Sequence, residues 1–117
     1  MSCILQMNFA FDAPAEQVKE AGLDLALAIA QVPGLVWKTW LMNEAKREAG
    51  GIYWFDSEAA AIAYLNSDIG QHIQHNPAFS AMQIRLTPVW SEATAITARA
   101  VMPTQPQFGA VVGQALG

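Results

Sequence analysis

An α+β domain, with a four-stranded antiparallel sheet and two helices, is predicted by three observations. Residues 3–11 and 81–90 alternate apolar and polar side chains with the period of a strand. Residues 15–32 and 58–66 carry apolar groups at helical spacing. Residues 33–56, PGLVWKTWLMNEAKREAGGIYWFD, hold three of the four tryptophans between two glycine signals and have the composition of a β-hairpin. The resulting order of strand, helix, strand, strand, helix, strand is the split βαβ arrangement of a ferredoxin-like domain.

Each element has its own justification. In the first strand Leu5, Met7, Phe9 and Phe11 share one face, and Ile4, Gln6, Asn8 and Ala10 share the other. Asp12 and Pro14 signal a helix start, Asp as a cap and Pro as a tolerated first-turn residue. The helix from Ala15 to Val32 has the core stripe Val18, Gly22, Leu25 and Ile29, widened by Leu23 and Leu27, with Glu16, Glu20 and Asp24 outside. Gly22 costs about 1 kcal/mol against Ala inside a helix, so a close helix-to-sheet contact is expected there. Pro33-Gly34 stops the helix. The hairpin strands are expected over Leu35–Met42 and Ile52–Phe55, with Gly50-Gly51 opening the second. Alternation sends Trp37 and Trp40 to opposite faces, and likewise Tyr53 and Trp54. Ser57 caps a helix from Glu58 to about Asn66 with Ile62 and Leu65 inward, and residues 71–76 make a short turn carrying His72 and His75, ended by Pro77. The last strand sets Met82, Ile84 and Leu86 against Gln83, Arg85 and Thr87. Residues 1–90 are the expected domain. Residues 91–117 are a tail with a short helix at 91–100, and its Val101, Met102, Phe108, Val111 and Val112 are apolar enough to dock on a partner subunit.

At 117 residues the chain makes one domain. Charged residues are 14% and hydrophobic ones 53%, against about 25% charged in a typical soluble domain. With large apolar groups on both hairpin faces, self-association into a homodimer is the expectation. The net charge of -4 and six scattered Lys and Arg residues give no basic stripe, which argues against a nucleic-acid partner. The single cysteine, Cys3, excludes an intrachain disulfide and a cysteine metal cluster. With no basic leader and no membrane-spanning apolar run, a cytoplasmic location without membrane contact is expected.

Four blocks, LQMNFAF at 5–11, PGLVWKTW at 33–40, EAGGIYWF at 48–55 and AAIAYL at 60–65, resemble the YdhR-like monooxygenase family. That family belongs to the dimeric α+β barrel superfamily, which includes the antibiotic-biosynthesis monooxygenases. The resemblance covers residues 4–65 and fades beyond Asn66. It implies a homodimer whose two sheets pack by their helix-free faces, with an apolar cavity in each subunit. There, related enzymes oxidise aromatic or quinol-type compounds with molecular oxygen and without a metal, flavin or other cofactor.

Such chemistry needs a dry cavity, a group that promotes a phenolate or enolate, and polar contacts that orient the ring. His72 and Arg85 are the candidate catalytic residues: His72 as a base near neutral pH, Arg85 as a positive charge beside a bound phenol. Lys38 can play the same electrostatic part, although a carboxylate partner such as Glu48 is the commoner fate of such a residue. Asn8, Phe9, Trp37, Trp40, Tyr53 and Trp54 are the candidate contacts to a small aromatic ligand. Gln6 shares the polar face of Asn8. Two further readings stay open. One is a non-catalytic ligand-binding or stress-related module. The other is a haem-binding protein built on Asn8 and one of the histidines, against which stands the lack of a tryptophan in the second helix. The self-association is checked by light scattering in dilute solution, where a mass about twice 12.6 kDa is expected.

Overall fold

A computed structural model describes residues 1–98. The chain runs β1 (Cys3–Phe11), α1 (Ala15–Ala30), β2 (Leu35–Asn43), β3 (Glu48–Phe55), α2 (Glu58–Asn66), α3 (Asp68–Gln74), β4 (Phe79–Pro88) and α4 (Ser91–Thr97). The strands form one antiparallel sheet in the order β2-β3-β1-β4, the ferredoxin-like arrangement, with α3 and α4 added.

The alternation of β1 decides where the core lies. Cys3, Leu5, Met7 and Phe11 are buried. Cys3, Leu5 and Met7 cluster with Tyr53 and Phe55 of β3, Ile29 of α1, Ala61 and Tyr64 of α2, and Ile73 of α3. Three helices therefore cover one face of the sheet, and each large aliphatic group sealed there contributes on the order of 1.5–3 kcal/mol. On the opposite face Trp37 and Trp54 are register partners in a T-shaped pair, with ring centroids 5.9 Å apart.

The element ends follow local chemistry, with corrections to the sequence reading. Ser57 caps α2 by accepting a bond from the Ala60 N–H at 3.1 Å. Ser67 accepts from the Gly70 N–H at 3.2 Å to start α3 while donating to the Tyr64 carbonyl at 2.6 Å. Asp12 caps nothing: Pro14 holds the N-cap position of α1, and the Asp12 N–H instead bonds the Ala78 carbonyl at 2.8 Å. β3 begins at Glu48, so Gly50 and Gly51 lie within the strand instead of opening it. The turn between β2 and β3 falls earlier, where Arg47 adopts φ 55° and the Lys46 N–H bonds Asn43 Oδ1 at 3.1 Å. β4 likewise starts two residues early, at Phe79.

Two apolar expectations reverse. Leu23 and Leu27 do not widen the core stripe of α1; they are 77% and 80% exposed. Ile62 is also exposed, and Ala61 and Tyr64 fill the inner side of α2 instead. Gly22 does mark a close helix-to-sheet approach, since a Cβ there would stand 3.1 Å from Trp40 Cζ3. The expected tail beyond residue 98 lies outside the described residues. Among those described, no helix is long and apolar enough to cross a membrane. The inner and outer faces of α1 are separable by urea denaturation. Ile29→Ala is expected to cost about 2–5 kcal/mol, and Leu27→Gln to change stability by less than about 0.5 kcal/mol.

Candidate functional site

A cavity of about 400 Å³ lies between the sheet and the helices. Met7 and Phe9 of β1, Gly51 and Tyr53 of β3, and Lys38 and Trp40 of β2 form its sheet side. Val18, Gly22 and Leu25 of α1, with His72 and Ile73 of α3, form the helix side, and Phe79 closes one end by stacking on Phe9 with ring centroids 4.1 Å apart.

Lys38 reaches this chamber because of an irregularity in β2. Leu35 pairs with Phe55 and Trp37 with Trp54, so the ladder shifts by one residue between them. From there Lys38 stands opposite Tyr53 and Trp40 opposite Gly51, on the face that β3 turns to the helices. Gly51 leaves the room for the lysine arm: a Cβ at that position would lie 2.6 Å from Lys38 Cε and 3.5 Å from its Nζ. The Nζ sits 3.3 Å from the centroid of the Trp40 ring and 4.4 Å from that of Tyr53. Among the described residues no carboxylate pairs with it; the recorded ion pairs are those of Lys19 with Glu16 and Glu44. The expected partner Glu48 sits instead at the hairpin end, opposite Asn43 and Ala10. Burial without a compensating anion pulls the Lys38 ammonium down to about 7 from the usual 10.5.

The other polar groups lining the chamber are mostly occupied. The Tyr53 and Tyr64 hydroxyls share a buried hydrogen bond of 2.8 Å. Burial raises the pKa of both phenols, so they stay neutral. Asn76 Oδ1 accepts from the Ala78 N–H at 2.8 Å. Lys19, also lining the cavity, hydrogen-bonds Glu44, and that contact raises its pKa. His72 and Lys38 are left with no side-chain hydrogen bond among the described residues.

The structure sorts the sequence candidates by face. Phe9, Trp40, Tyr53 and His72 meet at the cavity. Arg85 pairs in register with Gln6 and is exposed, so it does not join His72. Asn8 lines a second depression of about 470 Å³ with Ala10, Glu48 and Gln83. Trp37 and Trp54 form their pair on the face away from the helices. Asn8 and His72 border two depressions that share Phe9, Leu41, Met42 and Ala49. His75 closes the end of α3 with Nε2 3.1 Å from Gln71 Oε1. Among the described residues no three His, Cys, Asp or Glu side chains are grouped to hold a metal ion. Lys38 is the group whose place in the chamber the sequence did not reveal; its one signal was a lysine between two tryptophans in a strand, and the face it takes follows from the irregularity in β2.

A sequence profile described as "Putative mono-oxygenase ydhR" matches residues 4–100. No curated protein matches by sequence. Among solved structures, the chain is similar to SnoaB, a cofactor-independent oxygenase from Streptomyces nogalater, at TM-score 0.62 and 17% identity over 75% of this chain and 92% of that one. It is also similar to the heme-degrader MhuD from Mycobacterium tuberculosis, at TM-score 0.57 and 19% identity over 76% and 97%. NE2512 from Nitrosomonas europaea, a protein of unknown function, gives TM-score 0.62 and 21% identity over 77% and 90%. Likenesses at this identity establish the shared fold.

The half-buried amine has a consequence for stability with a definite sign. Its pKa is lower in the folded than in the unfolded chain, so below about pH 7 both states are protonated and the folded state carries the full desolvation cost. Between about 7 and 10.5 the unfolded chain binds more protons, and this contribution to stability rises with pH. Lys38→Met is therefore expected to be more stable than the natural chain at pH 6, and the difference to shrink at pH 9.5. Urea denaturation at both pH values measures it.

Proposed function

The chain belongs to the ydhR family, and we propose that it is a monooxygenase that oxidises a small aromatic, quinol-type compound with molecular oxygen. The observation that carries this reading is the lone amine of Lys38 in an aromatic-walled chamber lined by α1 and α3. Phe9 and Trp40 both line the chamber, and a flat ring that displaces water there strengthens every electrostatic contact inside.

An acidic C–H or O–H group of the substrate gives its proton to the neutral Lys38 amine. The ammonium so formed stays beside the carbanion or phenolate and holds it in the electron-rich state. That anion reduces oxygen, a C–O bond forms, and loss of water from the resulting peroxide leaves a carbonyl. The net change is CH2 plus O2 to C=O plus H2O, with the substrate as the reductant. His72 supplies a second polar contact at the chamber wall. A second copy of the chain, laid against the face of Trp37 and Trp54, provides the cover that the apolar composition calls for.

The test is oxygen uptake by purified, metal-free protein given anthrone and a series of quinols. One oxygen consumed per substrate oxidised is expected, with kcat reduced about 10²-fold or more in Lys38→Met. Compounds that quench tryptophan fluorescence on binding yet never draw oxygen would mark the protein as a non-catalytic carrier and overturn the reading.

A further inference from the structure

We propose that Lys38 is also a nucleophile, capturing flat, apolar aldehydes in the cavity as imines. Three features carry the inference. The lysine arm is threaded across Gly51, where any side chain would displace it. Its Nζ is held over Trp40, in the chamber, with no carboxylate among the described residues to keep it charged. The space beside it is lined by Met7, Phe9, Leu25 and Phe79, which suit an aromatic or polyunsaturated body and no polar one. A lysine desolvated in an apolar pocket is the usual way a protein makes an amine nucleophilic near neutral pH, and the low pKa of about 7 agrees with that geometry.

In the reaction the amine lone pair attacks the carbonyl carbon, forming a C–N bond while the carbonyl oxygen takes up a proton. The carbinolamine then loses one water to give the imine, and nothing is oxidised or reduced. The titratable groups that face the chamber with Lys38 are Tyr53 from β3, Lys19 from α1 and His72 from α3. Lys19 is engaged by Glu44 and Glu16, and Tyr53 by Tyr64.

The full chain is incubated with 2-naphthaldehyde and sodium cyanoborohydride, which reduces an imine to a stable secondary amine, and the adducts are mapped by peptide mass spectrometry. Air is excluded, so the outcome is independent of oxygen chemistry. The adduct is expected at Lys38 in roughly tenfold or greater excess over Lys19 and Lys46, because near pH 7 about half of an amine with this pKa is unprotonated. Labelling at Lys38 should rise with pH through about 7 and then level off, whereas labelling of the exposed lysines keeps rising. Lys38→Met and Lys38→Arg, the second of which keeps the charge, should both lose the dominant adduct while unfolding at urea concentrations that show them folded. Equal labelling of the three lysines, or a dominant adduct that survives in either folded variant, would overturn the proposal. Oxygen uptake without Lys38 labelling would leave the base in place and remove the nucleophile.

Discussion

Between Leu35 and Trp37, β2 carries one residue more than the strand it pairs with. In a pleated strand, where successive side chains take opposite faces, such an insertion exchanges the two faces for everything that follows. Lys38 and Trp40 are thereby delivered to the helix side, and Trp37 to the other side against Trp54. Continued in register from Leu35, the strand would send Trp37 and Thr39 toward α1 and carry the lysine away from it. The chamber, its amine and the tryptophan pair behind the sheet all depend on that shift.

Room for the delivered side chains comes from missing ones. Trp40 lies under Gly22 of α1, where even a methyl would stand 3.1 Å from the ring, and the lysine arm crosses Gly51. A mid-helix glycine costs about 1 kcal/mol, a modest penalty beside the close approach it permits. Two opposed effects then act on the amine. The faces of Trp40 and Tyr53 attract a cation, worth about 0.5–2 kcal/mol, while removing an ammonium from water costs several kcal/mol when no anion accompanies it. Desolvation is the larger, which is why the group loses its proton near neutrality although two π faces are within reach.

Much of the architecture was legible because it rests on period and punctuation. The alternation of Leu5 and Met7 identifies the core face of β1, the Ser57 cap starts α2, and Gly22 announces a close contact, as found. Readings failed where tertiary context decides. Leu23 and Leu27 fit a helical stripe as well as Leu25 does, and only the position of α1 on the sheet turns them to the outside. Gly50 and Gly51 read as a strand opening because glycine usually interrupts strands; here they lie inside β3, where a Cβ at Gly50 would collide with the Met7 carbonyl. The site was half legible. The aromatics announced themselves by type, but the face that each residue takes depends on the irregularity in β2, which leaves no mark in composition or spacing. Arg85 and Lys38 are indistinguishable as strand cations until their register partners, Gln6 and Tyr53, are known.

Hydrogen-bonding capacity left free in the chamber constrains how any ligand lies there. Of the titratable and amide side chains bordering the chamber, Tyr53 is committed to Tyr64, Asn76 to the Ala78 N–H and Lys19 to Glu44. Lys38 on the sheet, the amide nitrogen of Asn76 and the exposed His72 on α3 keep unused capacity. A polar atom sealed in without a partner costs about 1–3 kcal/mol, more than an additional methylene recovers. A ligand with one polar edge is thus held with that edge toward β2 and its apolar body toward the stacked rings of Phe9 and Phe79. The arrangement selects against ligands that are polar all round, because their buried polar atoms would go unpartnered.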